Sequence, residues 1–405
     1  MIRNDIRNDI RDTIQQLPAS RIREVANAGL GRDDILKFWF GEGDQVTPAF
    51  IRAAAKAALD EGQTFYNHNL GLIELREELA RYVNSLHTPR TPVTSERIAI
   101  TSAGVHALSL VDQALIDPGD RVAIVTPVWP NLTCMPRIMS AEVARVPLQC
   151  HDGAWSLDLQ RLLDAATPDT RLVLVNSPNN PTGWTMPQAD WEALLAHCRR
   201  HGIWLVSDDA YERLVYEPAL TANGHAPGVL AALDDDDRVI SANTFSKAWT
   251  MTGWRLGWLV APRSFIAQIG KVIEYNTSCA PAFVQRAGLV AVRDGEALVR
   301  DTVDRLRRSR DRLVTALADV PGIEVAPPPG AMYLFFRIAG VSDDSLACAK
   351  QLVADAGLGI APGVAFGPEG EGYLRWCFAA SDALLAEGAE RLAGFMRRTG
   401  ARRAA

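Results

Sequence analysis

The sequence predicts an α/β protein of two domains: a large domain on a mostly parallel β-sheet and a smaller α+β domain. The chain has 405 residues, more than one ordinary hydrophobic core accommodates. Between Arg97 and Ser246 short apolar runs alternate with helical patterns, as in a sheet whose strands are buried on both faces. After about residue 290 a long helical pattern ends that alternation. We therefore predict a large domain over residues 47–290 and a small domain made of residues 1–46 and 291–405.

The individual elements follow from local patterns. Thr47 is a good N-cap residue and Pro48 suits the first helical position, so a helix is expected over residues 47–62, with a second over residues 71–86. The helical pattern EALLAHCRRHG ends at a glycine, and EALVRDTVDRLRRSRDRLVTALADV is the long helix. The expected strands are RIAIT, DRVAIVTP, RLVLVNSP, GIWLVSDD and RVISANTFS in the large domain, and GIEVAPPPGAMYLFFRI and GYLRWCFA in the small one. The N-terminus repeats Arg-Asn-Asp-Ile and has no assigned role.

Composition excludes several classes of protein. The net charge is −6 with scattered signs, which argues against nucleic-acid and membrane-surface partners. No apolar run reaches membrane-spanning length. The six cysteines lie far apart without CxxC spacing, so neither a metal site nor a disulfide framework is indicated. Dispersed thiols and an N-terminus unlike a signal peptide indicate a cytoplasmic protein.

Polar residues follow the predicted strands at the points where the strands end. In a parallel sheet these ends share one edge, which is where ligands bind. The residues concerned are Gly104, Trp129, Asn180, Asp208 and Lys247.

Lys247 is one of only five lysines against 37 arginines. An amine can lose its proton and attack a carbonyl to form a Schiff base, which a guanidinium cannot because its pKa stays above about 12. Thr244, Ser246 and Arg255 nearby suit a phosphate ester. Together these features suggest pyridoxal 5′-phosphate; the alternative is a surface lysine.

The other strand-end residues are compatible with that cofactor but are individually weak signals. Asp208 could keep a pyridine nitrogen protonated, and Tyr211 and Asn180 could donate to a phenolate oxygen. The alternatives are an N-cap aspartate, a packed tyrosine and an ordinary turn.

Three further features allow two interpretations each. The small residues of SAGVHAL open a helix whose N–H groups could bind phosphate, although such helix starts are common. Trp129 could stack on a flat ring or lie in the core. Arg375, between apolar neighbours, could bind a substrate carboxylate or form an internal ion pair.

The order of these motifs resembles the class I/II (fold type I) pyridoxal-phosphate aminotransferases, the aspartate aminotransferase superfamily. The resemblance runs from about residue 38 to the C-terminus, through SAGVHAL, PVWP, SPNNPTG, SDDAY, TFSKAWTMTGWRLGW and YLRWCFA. It implies the fold type I architecture: a large domain with a mostly parallel central sheet flanked by helices, plus a smaller α+β domain. It also implies the cofactor pyridoxal 5′-phosphate and a homodimer.

The resemblance also implies residue roles. Lys247, Asp208 and Tyr211 would be catalytic: Lys247 forms the Schiff base, Asp208 binds the ring nitrogen, and Tyr211 binds the phenolate oxygen together with Asn180. Trp129 would stack on the ring. Arg375 and the backbone of Gly41 would hold the substrate α-carboxylate, near Trp129 and Asn180.

The phosphate site is implied in the same way. It would comprise Ala103, Gly104, Val105, Thr244, Ser246 and Arg255. Tyr66 would reach the phosphate in the neighbouring subunit.

The implied reaction is transfer of an amino group from an L-amino acid to a 2-oxo acid by a ping-pong mechanism. Val105 stands where some relatives that handle dicarboxylates have a lysine. Trp39, Phe40, Met332 and Tyr333 suggest an apolar side-chain pocket, so neutral or aromatic donors are expected. The alternatives are a C–S β-lyase of the same fold, or a cofactor-binding regulatory module, for which the roughly 46 residues before the fold leave no room for a DNA-binding domain.

Overall fold

The computed structural model describes residues 10–404 except 222 and 342. Residues 3–9 of the repeated Arg-Asn-Asp-Ile segment lie outside the described residues. The helices, numbered in chain order, are α1 (Asp12–Gln15), α2 (Arg21–Ala28), α3 (Ala49–Asp60), α4 (Ile73–His87), α5 (Gly104–Leu115), α6 (Asn131–Ile138), α7 (Leu159–Ala165), α8 (Gln188–His201), α9 (Arg263–Glu274), α10 (Ala282–Asp294), α11 (Glu296–Ala318), α12 (Ser345–Ala356) and α13 (Asp382–Ala404). The strands are β1 (Leu36–Lys37), β2 (Ile98–Thr101), β3 (Arg121–Thr126), β4 (Glu142–Pro147), β5 (Gln149–His151), β6 (Ala154–Ser156), β7 (Thr170–Asn176), β8 (Trp204–Asp208), β9 (Val239–Thr244), β10 (Gly257–Val260), β11 (Ile323–Glu324), β12 (Tyr333–Ile338), β13 (Leu358–Gly359), β14 (Ala361–Pro362) and β15 (Tyr373–Cys377).

The central sheet has the strand order β2-β10-β9-β8-β7-β3-β4. β10 runs antiparallel to β2 and β9, and the other neighbours are parallel. Successive side chains of a strand face opposite sides: Ile98 and Ile100 join one hydrophobic core, whereas Ala99 joins the other. Burial on both faces explains why these strands are apolar throughout instead of alternating with polar residues.

The sheet topology brings the polar residues after the strands to one edge. β2, β3, β7, β8 and β9 all run the same way, so their carboxyl ends lie side by side. Asn176 joins two of these ends, because it is the last residue of β7 and its Nδ2 donates to the carbonyl of Asp208, the last residue of β8, at 3.0 Å.

A second sheet, of order β11-β12-β15-β14, is antiparallel. It shares one apolar core with α11, α12 and α13 and with N-terminal residues such as Val25 and Phe38. The short parallel pair β1-β13 fastens the N-terminal segment to this core. Arg375 lies in the middle of the sheet, opposite Phe335 on β12 and Ala361 on β14.

The predicted α/β class with a mostly parallel sheet is confirmed. The first predicted helix begins at Ala49 with Pro48 at its N-cap. The Thr47 hydroxyl is used elsewhere: it donates to the Thr250 carbonyl at 2.6 Å and accepts from Trp254 Nε1 at 2.9 Å. The edge strand β4 was not predicted, because its sequence EVARVP mixes charged and apolar residues.

None of the helices in the described part of the chain is both long and apolar enough to cross a membrane. All six cysteines are free thiols.

Candidate active site

A cavity of about 550 Å³ lies where the carboxyl ends of the parallel strands meet the second sheet and the N-terminal segment. Most of the residues singled out from the sequence line it: Gly41, Gly104, Val105, Trp129, Asn180, Asp208, Tyr211, Thr244, Ser246, Lys247, Arg255 and Arg375. The topology therefore gathers residues that are up to 334 positions apart, from Gly41 to Arg375, into one site.

One end of the cavity is built to receive an anion. Helix α5 begins here, and the first N–H groups of a helix have no partner within it. The start of α5 lies close against the start of β10. Gly257 permits this contact, since a Cβ there would lie 2.6 Å from the Gly104 nitrogen. The hydroxyls of Thr244 and Ser246 lie 2.9 Å apart, and Arg255 adds a positive charge. N–H groups, hydroxyls and a guanidinium are typical phosphate ligands.

Lys247 lies in the turn after β9, with its amine inside the cavity. Its Nζ donates to the Gly41 carbonyl at 2.5 Å. Burial, together with Arg375 and Arg255, lowers the Lys247 pKa to about 8, so more of the amine is unprotonated at neutral pH than in an ordinary lysine. An unprotonated amine is the form that attacks carbonyl carbon.

Asp208 ends β8 with its carboxyl group buried, at 6% exposure. One carboxylate oxygen accepts from the Ala210 N–H at 3.3 Å, and among the described residues no cationic side chain bonds to it. Burial raises the Asp208 pKa to about 7, and the neighbouring Asp209 adds to the effect. A buried acid facing an open cavity without a cation is suited to a cationic ligand atom.

Arg375 and Asn180 both line the cavity and bond to each other. Arg375 Nη1 donates to Asn180 Oδ1 at 3.0 Å, and its Nη2 donates to the Trp39 carbonyl. The Asn180 amide NH₂ is therefore left to face the cavity. The Arg375 Nε is buried without a partner, and no carboxylate of the described residues pairs with this guanidinium, so the internal ion pair that the sequence left open is not formed.

Three of the residues singled out do not line the cavity. Ala103 is buried at the N-cap of α5, directly before Gly104. Tyr66 is 89% exposed on the surface. Met332, expected in an apolar pocket, is buried outside the cavity, because alternation along the chain sends Tyr333 into the site and Met332 away from it.

Sequence patterns missed several lining residues. Ile22 and Arg23 come from helix α2, and Asn131 from the start of α6. No motif marks α2 as part of a site, since it reads as an ordinary amphipathic helix with a Ser20 N-cap. Only the docking of the N-terminal segment onto the second sheet brings it here.

Comparisons with known proteins agree with this geometry. The family described as aminotransferase class I and II matches residues 37–392. This chain belongs to the class I and II aminotransferases. An aspartate aminotransferase of Pyrococcus horikoshii is 33% identical over 95% of this chain and 96% of its own length. An aromatic-amino-acid aminotransferase of Thermococcus litoralis is 30% identical over 95% and 97%. The structure of a Thermus thermophilus aspartate aminotransferase with maleate superimposes with a TM-score of 0.86 at 32% identity, covering 95% of this chain and 98% of that one.

The protein is thus an aminotransferase of fold type I, and its family depends on pyridoxal 5′-phosphate. The cavity fits that group on three independent observations. It has donors for a phosphate beside α5, an amine of lowered pKa for an aldehyde, and a buried acid without a cation for a ring nitrogen.

Proposed function

We propose that this aminotransferase moves the amino group of a neutral or aromatic L-amino acid to a 2-oxo acid by a ping-pong mechanism. The observation that carries the proposal is that Lys247, Asp208 and Arg375 face one cavity. Because the cavity has one buried arginine for an α-carboxylate, donor and acceptor would occupy it in turn, as ping-pong kinetics require.

We assign the cofactor contacts as follows. The start of α5 from Ala103 to Val105, with Thr244, Ser246 and Arg255, would hold the phosphate. Trp129 would lie against the ring face, and Asn180 and Tyr211 would donate to the phenolate oxygen. When bound, the cofactor supplies a carbonyl that condenses with amines and a ring that accepts electrons.

The chain's own residues then divide the remaining work. Arg375 binds the substrate α-carboxylate and orients the bond to the Cα proton. Lys247, whose pKa is lowered to about 8, would remove that proton as a base and deliver it to the cofactor carbon that bore the aldehyde, so that the amino group can stay with the cofactor. Asp208 would hold a proton on the ring nitrogen of the bound cofactor, where a positive charge would offset the cost of burying the Asp208 carboxylate.

The preference for neutral or aromatic donors is supported by the apolar part of the cavity lining. Ile22, Trp39, Phe40, Val105 and Leu108 line the cavity, and Lys247 is the only lysine among the described lining residues. A distal carboxylate placed among these groups without a partner would cost several kcal/mol.

A second candidate, acceptance of dicarboxylic substrates, is favoured by Arg23. Its guanidinium carbon lies 5.7 Å from the centre of the Phe40 ring, on the cavity wall, and no carboxylate of the described residues pairs with it. A guanidinium stacked on an aromatic ring can leave it to meet a carboxylate. An acidic acceptor could therefore follow a neutral donor into the same pocket.

The test is a donor panel under single-turnover conditions. Purified holoenzyme is mixed with one amino acid at a time, and the loss of visible cofactor absorbance gives a rate per molar substrate. Faster reaction of alanine, leucine and phenylalanine than of aspartate supports the neutral-donor proposal; the reverse order contradicts it. Arg23→Gln separates the candidates, since it should slow dicarboxylates alone.

We also propose a division into a large domain (47–290) and a small domain (1–46 and 291–405).

We further propose a homodimer in which Tyr66 reaches the partner's phosphate site. Phe65, Tyr66 and Tyr275 are 84%, 89% and 92% exposed. Asn67 and Asn69 bond the 65–70 segment to the backbone around Tyr275, at Ala280 and Gly270. These aromatics therefore share a surface, and exposed apolar clusters mark interfaces. A solution mass of one chain would contradict the dimer.

A further inference from the structure

Two buried tyrosines from different parts of the fold meet beside the cofactor site. The hydroxyl oxygens of Tyr211, in the turn after β8, and Tyr333, the first residue of β12, lie 2.7 Å apart. Tyr333 is fully buried and Tyr211 is 5% exposed. Tyr333 has no role in the function proposed above.

The direction of this hydrogen bond follows from counting protons. A phenol has one O–H to donate and lone pairs to accept. If Tyr211 donates its proton to the phenolate oxygen of the cofactor, it has none left for Tyr333. Tyr333 must then be the donor and Tyr211 the acceptor, which gives a chain of two hydrogen bonds that points at the cofactor. Hydrogen bonds in such chains strengthen one another.

The position of the Tyr333 hydroxyl is tightly determined. The Arg375 guanidinium carbon lies 4.4 Å from the centre of its ring. On the other side, a Cβ on Gly41 would lie 2.0 Å from the Tyr333 hydroxyl oxygen, so only glycine permits this position. A cation over a phenol ring draws electron density from it and makes its O–H a better donor.

We propose that Tyr333 is a positioning residue that donates to Tyr211 and strengthens the donation of Tyr211 to the cofactor's phenolate oxygen. The inference rests on the role given to Tyr211 under the proposed function. Other ionisable groups near the pair are Asp208 at the end of β8, Lys247 after β9, and Arg375 and Cys377 on β15. Among the described residues, Tyr333 is the hydrogen-bond partner of the Tyr211 hydroxyl, and none of these other groups bonds to it.

The test is a pH titration of the visible absorbance of the bound cofactor. Donation to the phenolate oxygen stabilises its ionised form, so weaker donation moves the absorbance midpoint to higher pH. Tyr333→Phe keeps the ring under Arg375 and removes only the hydroxyl. We expect its midpoint to rise by less than the about 0.3–1 pH unit that one whole neutral hydrogen bond is worth, because Tyr333 acts on the cofactor only through Tyr211. Tyr211→Phe should shift the midpoint further in the same direction.

The double variant and a control decide the interpretation. If Tyr333 acts through Tyr211, the Tyr211→Phe/Tyr333→Phe variant has the midpoint of Tyr211→Phe alone. The control is Tyr216→Phe. It loses a buried hydroxyl that donates to the Ala331 carbonyl, outside the cavity, and should change stability but not the midpoint.

Three results would overturn the inference. In the first, Tyr333→Phe keeps the wild-type midpoint while Tyr211→Phe shifts it, which leaves the proposed function standing. In the second, the two shifts add in the double variant, so Tyr333 acts independently of Tyr211. In the third, Tyr211→Phe itself has no effect, so the role of Tyr211 is wrong and the inference falls with it.

Discussion

Replacing Asp208 with asparagine should make the cofactor-free protein more stable and the cofactor-loaded enzyme far slower. Burial raises the Asp208 pKa to about 7, against about 3.9 in an unfolded chain. Between these values the unfolded chain releases the proton and the folded protein keeps it. The apoprotein therefore loses stability as the pH rises from about 4 to 7, and no more above that.

The size of the effect follows from the pKa difference. About three pKa units at 1.36 kcal/mol each gives an upper bound of about 4 kcal/mol of unfolding free energy above pH 7. Asparagine has the same shape and no charge, so the variant escapes this loss. Its advantage over the wild-type apoprotein should reach at most about 1.5 kcal/mol at pH 5 and about 4 kcal/mol at pH 8.

The assay has two arms. Urea unfolding of both apoproteins at pH 5 and pH 8 measures stability. Single-turnover absorbance of the loaded enzymes measures the rate of the half-reaction. This rate should fall by at least about 100-fold, because leaving a buried cation without its partner costs about 3–5 kcal/mol. The cofactor should still bind, since the residues assigned to the phosphate are unchanged.

Asp209→Asn is the matched control. Asp209 is equally buried, but its oxygens accept from the Ser207 and Ser241 hydroxyls, outside the cavity. That variant should leave the half-reaction nearly unchanged. The reasoning is refuted if Asp208→Asn destabilises the apoprotein at pH 8, or if its half-reaction stays within about threefold of wild type.

Three further outcomes are expected. Lys247→Ala should yield a protein without transaminase turnover; activity that persists with no added amine would contradict its role. Arg375→Lys should raise the KM for amino acids at least about tenfold, because an ammonium cannot make a bidentate contact with the α-carboxylate. Arg337→Lys, on the neighbouring strand and outside the cavity, should not change the KM. Gly41→Ala should lower stability by about 1–3 kcal/mol in thermal unfolding, since its Cβ would collide with the Tyr333 hydroxyl. An unchanged melting temperature would show that Tyr333 moves aside without a cost in stability.

Much of the site could be predicted because its parts are local. Lys247 follows β9 directly, Asp208 ends β8, and the start of α5 follows β2 within a few residues. A buried strand is recognisable from a short apolar run, and in a parallel sheet the carboxyl ends of the strands necessarily share one edge. Each motif alone was ambiguous, but their order along the chain was not. The α/β class and the aminotransferase family followed from that order, and both are confirmed.

What the sequence by itself determined was therefore the set of strands, the residues at their ends and the chemistry those residues can perform. The tertiary structure alone decided which distant segments complete the cavity. Arg23 belongs to a helix with no distinguishing pattern, and it lines the site only because the N-terminal segment packs on the second sheet. Tyr333 and Met332 are adjacent, but only Tyr333 lines the cavity and reaches Tyr211. The pKa values of Lys247 and Asp208 likewise arise from burial, which depends on every element packed around them and not on the residues beside them in the chain.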